Sequence, residues 1–210
     1  MSKLHSKSIS YIWKNAESTS AHRYLLPRLE KLIADLPISK KKYFDAGFGN
    51  GFIANHMYKL GWEPVGVDLS EAGYYQVKSQ YPHLKQLYND SLYENIASRY
   101  GKFNLVLSVE VIEHLYDPRL FLNQLYNLLN TNGYLILSTP YHGYLKNLAI
   151  AIAGGFDRHF TALWDHGHIK FWSKKTLFTI LKDAGFNKIE FYVAGRFYPF
   201  SKSMILVARK

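Results

Sequence analysis

The chain has 210 residues, 48% hydrophobic and 20% charged. That is enough for one globular α/β domain with a full core, and it excludes a disordered chain. There is no cysteine, which excludes disulfides, thiolate metal sites and cysteine nucleophiles. The net charge of +10 suits an anionic partner such as RNA, an acidic membrane surface or an anionic metabolite, or simply a well-solvated surface.

The segment Met1-Ser2-Lys3-Leu4-His5-Ser6-Lys7 lacks the apolar centre of a signal peptide, and no run reaches the ~18 apolar residues of a membrane span. A soluble cytoplasmic protein is expected. The basic excess is concentrated early: Lys3, Lys7, Lys14, Arg23, Arg28, Lys31, Lys40, Lys41 and Lys42 stand against Glu17, Glu30 and Asp35. Leu25, Leu26, Leu29, Leu32, Ile33 and Leu36 recur at helical spacing and predict a helix from Tyr24 to Leu36, stopped by Pro37. Lys42 to Ala46 reads as the first strand, Asn50 to Leu60 as a helix ended by Gly61, and Glu63 to Asp68 as the second strand. A helix opens at Ser70-Glu71 and ends before Pro82. Lys85 to Asn89 is the third strand and Phe103 to Val109, almost unbrokenly apolar, the fourth.

Asp117-Pro118 starts a helix that runs to Asn132-Gly133. Tyr134 to Thr139 is the fifth strand, stopped by Pro140. A helix from Ser173 to Asp183 and strands near Lys188 to Ala194 and Ser203 to Ala208 complete the chain. Strands alternating with helices predict a Rossmann-like, doubly wound, mostly parallel seven-stranded sheet with helices on both faces. The whole chain reads as a single domain, with an N-terminal helical segment (1–40) and a small insertion after strand five (141–172).

Between the first two strands lies Asp45-Ala46-Gly47-Phe48-Gly49-Asn50-Gly51-Phe52. Glycines let backbone approach a ligand closely because no side chain intervenes. Phe52 stands where a dinucleotide site would place its third glycine. Asp45 at the strand end suits a ligand bearing an amine or positive charge. Asp68, at the tip of the second strand, suits ribose hydroxyls. Open alternatives are a structural glycine turn and a nicotinamide site.

A second constellation follows strand four: Glu110-Val111-Ile112-Glu113-His114. On a helix, Glu110, Glu113 and His114 would share one face. They can hold a divalent metal (Mg²⁺ or Mn²⁺, less readily Zn²⁺), act as a carboxylate-oriented histidine base, or form a hydrogen-bonded corner without chemistry. His168 is the first candidate for a fourth metal ligand, with His166 behind it. The insertion carries a largely apolar segment, 144–160, that reads as a lid helix, a lipid-interfacial segment with Lys146 and Arg158 in peripheral membrane contact, or a buried helix.

The motif from Asp45 to Gly51, with the later Asp68, resembles that of class I S-adenosylmethionine-dependent methyltransferases. Adding Ala21-His22-Arg23-Tyr24-Leu25-Leu26-Pro27, Glu110-x-x-Glu113-His114, Thr139-Pro140 and a histidine ahead of Lys170-Phe171, the chain resembles the ubiquinone-biosynthesis O-methyltransferase family. The resemblance implies S-adenosylmethionine held by Asp45, Gly47, Gly49, Gly51, Asp68, Leu69, Asp90, Ser91 and Val109, with Arg23 on the carboxylate of its methionine part. It implies His114, Glu113 and His168 as catalytic residues, a small or lipidic quinol- or catechol-like acceptor, and Tyr141, His142, His159 and Trp164 near that acceptor, because methyltransferases of this type recognise substrate after strand five. The same Glu-x-x-Glu-His with a later histidine binds metal in small-RNA 3′-end 2′-O-methyltransferases, so an RNA end is the rival acceptor. A non-catalytic cofactor-binding protein is a further alternative.

Overall fold

The computed structural model describes residues 13, 15–160, 162–164 and 167–210. His166, Lys3, Lys7 and Lys14 lie outside the described residues. The elements run α1 (Ser20–Ala34), β1 (Lys42–Ala46), α2 (Phe52–Lys59), β2 (Glu63–Asp68), α3 (Glu71–Gln80), β3 (Leu87–Asn89), α4 (Ile96–Tyr100) and β4 (Phe103–Val109). After a single 3₁₀ turn at Ile112–His114 come α5 (Pro118–Leu128), β5 (Leu129–Pro140), α6 (Tyr144–Ile152), α7 (Phe156–Phe160), α8 (Lys174–Asp183), β6 (Asn187–Ala194) and β7 (Ser203–Arg209).

The seven strands form one sheet in the order β3-β2-β1-β4-β5-β7-β6. All neighbours are parallel except β7, which runs antiparallel to both β5 and β6. The predicted sheet is therefore borne out, with one reversed strand. Alternate strand residues enter opposite cores. Phe44, Val106, Leu135, Leu137 and Leu206 pack with Phe121 and Leu125 of α5 and Leu177 and Leu181 of α8. Tyr43, Leu105, Leu107, Ile136 and Ile205 pack with Leu25 and Leu29 of α1 and Met57 of α2. Strands buried on both faces explain why their sequences are apolar without alternation.

Several boundaries differ from the sequence reading. The first helix begins at Ser20 because Thr19 and His22 form a capping box, and it accommodates Pro27. β3 is shorter than expected and β5 begins at Leu129, five residues early, where it pairs with Phe103. The short α4 has too little periodicity to have been predicted.

Strand order reverses between β1 and β4, the place where ligands settle beyond the carboxyl ends of such sheets. The glycine turn after β1 and the Glu/His segment after β4 flank it. Because β7 is reversed, its first residue, Ser203, pairs with Pro140 at the same edge.

Candidate active site

Gly47, Gly49 and Gly51 all adopt positive φ (90°, 57° and 75°), so the turn depends on glycine at each position. Asp68 organises it. One carboxylate oxygen accepts the Gly49 amide at 2.7 Å and the other the Ser70 amide at 2.7 Å. Ser70 in turn caps α3 through the Gly73 amide. Asp45 is buried, with the Tyr43 hydroxyl at 3.4 Å. Burial, followed by the charge of Asp68, lifts the Asp45 pKa to about 7, and burial raises that of Asp68. Among the described residues no salt bridge neutralises either acid. Farther along the edge, Asp90 accepts from Arg99, from Tyr100 at 2.6 Å and from the Ser91 amide at 2.7 Å. Leu69 is exposed and Val109 half-buried at the strand tips. Arg23 is exposed in the first turns of α1.

The expected helix with Glu110, Glu113 and His114 on one face does not form. Glu110 adopts φ +56°, and its amide is held by the carbonyl and hydroxyl of Ser138. Its carboxylate turns to Ser138 Oγ at 2.8 Å and Ser203 Oγ at 3.4 Å, and Ser203 continues to the Tyr24 hydroxyl at 3.0 Å. Burial raises the Glu110 pKa to about 7. Glu110 thus joins a hydroxyl network through Ser138 and Ser203, while Glu113 bonds to Thr139 and neighbours His114.

Glu113 is 1% exposed. Its Oε2 accepts from Thr139 at 3.0 Å, whereas Oε1 is buried without a partner and lies 4.0 Å from His114 Nε2. Burial, followed by the charge of Glu110, pushes its pKa well up. The carbonyl of Glu113 accepts both the Ile169 and Lys170 amides at 2.9 Å. That pairing seats the returning end of the insertion beside the 3₁₀ turn and brings His168 to His114, with ring centroids 4.9 Å apart. His114 Nδ1 lies 3.2 Å from the Gly167 carbonyl, which fixes the tautomer with Nδ1–H donating and Nε2 facing the cluster. Burial, then the neighbouring His114, lowers His168 to about 4, leaving a neutral imidazole. Ligand atoms of Glu113, His114 and His168 lie within 4.8 Å of one another. Trp164 closes one side against both histidines.

The residues of the chain match, over positions 18–190, a family model described as a methyltransferase domain. The chain belongs to that family. A ubiquinone biosynthesis O-methyltransferase of Ruegeria sp. is 30% identical over 165 residues, covering 76% of this chain and 65% of the relative. The chain thus spans slightly less than two thirds of that relative's length. An S-adenosylmethionine-dependent methyltransferase from Archaeoglobus fulgidus superposes with a TM-score of 0.67 at 16% identity, over 89% of this chain and 93% of the other. The magnesium protoporphyrin IX methyltransferase of Synechocystis, with bound S-adenosylhomocysteine, gives 0.63 at 21% identity, over 89% and 81%. The donor set of this methyltransferase domain fits S-adenosylmethionine. Asp45 is buried and Asp68 half-buried, neither has a cationic partner among the described residues, and they suit an amine and hydroxyls beside a turn built of glycine.

Of the sequence-predicted acceptor residues, His142 stacks on Phe160 and faces Phe171 and His159, forming an aromatic box at the base of the insertion. Tyr141 is instead buried in the core against Phe191 and Tyr198. Tyr24, Ser138 and Ser203 were missed. Only knowledge that β7 is antiparallel would have placed Ser203 at this edge.

Titration of Asp45 has a measurable consequence. Its pKa is raised on folding, so the ligand-free protein holds that proton to higher pH than the unfolded chain. Its stability therefore falls between about pH 4 and 7, by on the order of 1 kcal/mol per pH unit at most. Ligand binding runs the other way, because the ionised carboxylate is the form that pairs with an ammonium group. Affinity for S-adenosylhomocysteine is expected to rise as pH passes about 7. Calorimetric titration from pH 5.5 to pH 8.5 (about three units) checks this, and Asp45→Asn should flatten the profile.

Proposed function

We propose that the domain transfers the methyl group of S-adenosylmethionine to a hydroxyl oxygen of a small or lipidic, quinol- or catechol-like acceptor. The observation that carries this reading is the Glu113–His114–His168 cluster at the carboxyl edge of β4 and β5, with Glu113 Oε1 buried and unpartnered. The name of the Ruegeria relative supports it.

The cofactor, when bound, supplies an activated methyl on its sulfonium. What remains for the chain is to align the acceptor oxygen, exclude water and take up its proton. Alignment alone is worth on the order of 7–11 kcal/mol. His114, held by Gly167, presents Nε2 as the base. Glu113, His114 and His168 would also hold a divalent ion, whose chemistry is to lower the pKa of a bound hydroxyl. One carboxylate with two imidazoles suits Mn²⁺ or Zn²⁺ better than Mg²⁺.

The insertion supports a lipidic acceptor. α6 has no buried residue among the described residues, which favours an exposed segment over a buried helix. Tyr144 (79% exposed), Leu145, Ile152 (80%) and Leu163 are bare, and Phe197 and Tyr198 lie on the nearby β6–β7 loop. Arg158, Arg196 and Lys202 supply positive charge around them. Such a surface meets anionic lipid peripherally. Cosedimentation with anionic phospholipid vesicles should retain the protein, and Ile152→Glu should lower retention several-fold. No binding by the unaltered protein would remove the membrane part of the reading.

The test of function is transfer of labelled methyl from S-adenosylmethionine into a cell extract split into lipid, aqueous and RNA fractions, with and without chelator. Label in the lipid or small-molecule fraction is the expected result, and loss on chelation would bring in the metal. Label confined to RNA would replace this reading with ribose methylation at an RNA end. No label in any fraction would replace it with cofactor binding alone.

A further inference from the structure

The glycine turn is covered by the chain's own N-terminal segment. A Cβ at Gly49 would come within 2.5 Å of Cζ2 of Trp13, and one at Gly73, near the start of α3, within 3.0 Å of Cδ1 of the same ring. The indole therefore lies across both glycines. Gly49 is the residue whose amide Asp68 grips. Gly49 thus leaves room for this tryptophan, and Gly73 leaves room for the Gly49 carbonyl and the edge of the same ring.

The segment that follows is tied to the same turn. Asn50, buried between Gly49 and Gly51, donates Nδ2 to the carbonyls of Asn15 at 3.0 Å and Glu17 at 2.9 Å. The Tyr81 hydroxyl, just past the end of α3, donates to the carbonyl of Ala16 at 2.6 Å. Thr19 then caps α1, and His22 stacks on Phe52, the first residue of α2, with centroids 5.0 Å apart and rings nearly parallel. Trp13 and residues 15–22 consequently touch the turn at Gly49, Asn50 and Phe52 and touch α3 at Gly73 and Tyr81. Arg23 follows at once.

We propose that this segment is a cofactor-retaining cover and that Trp13 is its closing residue. The cover shields from water the contacts that the turn makes with S-adenosylmethionine, and it must open for the spent cofactor to leave. Its hydrogen bonds run to the turn itself, so ordering of the turn by ligand and seating of the cover are one coupled event. Trp13 acts as a positioning residue, and its loss is felt chiefly in dissociation.

The test uses the full chain with S-adenosylhomocysteine as probe, comparing Trp13→Phe, Trp13→Ala and Tyr81→Phe. Tyr81→Phe cuts one tether and leaves the turn untouched. Intrinsic fluorescence should change on ligand addition, and the part of that change due to Trp13 should vanish in Trp13→Phe, which keeps Trp62, Trp164 and Trp172. Displacement kinetics should show dissociation faster by about tenfold in Trp13→Ala. Trp13→Phe should recover most of that loss, and Tyr81→Phe should show a smaller change of the same sign. Unchanged dissociation in both Trp13→Ala and Tyr81→Phe would overturn the proposal. Tighter binding by either would also overturn it, showing the segment to be a plug. Should Trp13→Ala fail to fold, the fluorescence difference and Tyr81→Phe still decide.

Discussion

Replacing His114 by alanine lowers methyl transfer by about 10²–10⁴-fold, the range for removal of a general base, and changes S-adenosylhomocysteine affinity by no more than about twofold. The separation of effects follows from placement. His114 is held by the Gly167 carbonyl and stands with Glu113 and His168 beyond β4, whereas Asp45 and Asp68, the proposed partners of the cofactor's amine and ribose, lie at the ends of β1 and β2. Glu113→Gln should keep the Thr139 hydrogen bond yet lose most turnover, since it removes the ionisable oxygen that faces His114 Nε2. Steady-state kinetics beside calorimetric binding checks both. A parallel fall in turnover and cofactor affinity would show that the cluster holds the fold near the turn and does no chemistry.

Replacing Asp68 by alanine has the opposite signature. It strips the Gly49 and Ser70 amides of their acceptor and removes the acid proposed to take the ribose hydroxyls. Hydrogen bonds to a charged group are each worth about 1.5–3 kcal/mol. Loss of two to the ligand lowers cofactor affinity by on the order of 10²–10⁴-fold. The orphaned amides also cost about 1–3 kcal/mol of stability. Asp68→Asn should keep part of both, because the amide oxygen still accepts. Calorimetric affinity and denaturant melts provide the two readings, and Asp68→Ala with unaltered affinity would move the ribose elsewhere.

The legible parts of the sequence were those set by local chemistry. β1, β2 and β4 were read residue for residue because their apolar runs end at an acid, Asp45, Asp68 and Glu110, in a buried sheet. The glycine turn was legible because positive φ restricts its composition. The Glu/His cluster was half legible. Its residue types were evident, but a helical face was the wrong geometry, because Ser138 holds Glu110 at positive φ and Ile169 and Lys170 take the Glu113 carbonyl. Those contacts come from residues 28 to 57 positions away and leave no local periodicity. The reversal of β7, which brings Ser203 to the edge, and the seating of Trp13 on Gly49 are likewise tertiary events. α6 was ambiguous for a different reason: its apolar pattern fits burial and exposure equally, and only the fold shows that none of its residues is buried among the described residues.

The most direct test of the account is incubation of the purified chain with S-adenosylmethionine and a catechol bearing a short apolar tail, followed by mass spectrometry of the product. Addition of one methyl to a ring oxygen, lost in His114→Ala while S-adenosylhomocysteine still binds, is the predicted result. Methyl on carbon or nitrogen, or full turnover by His114→Ala, would contradict it.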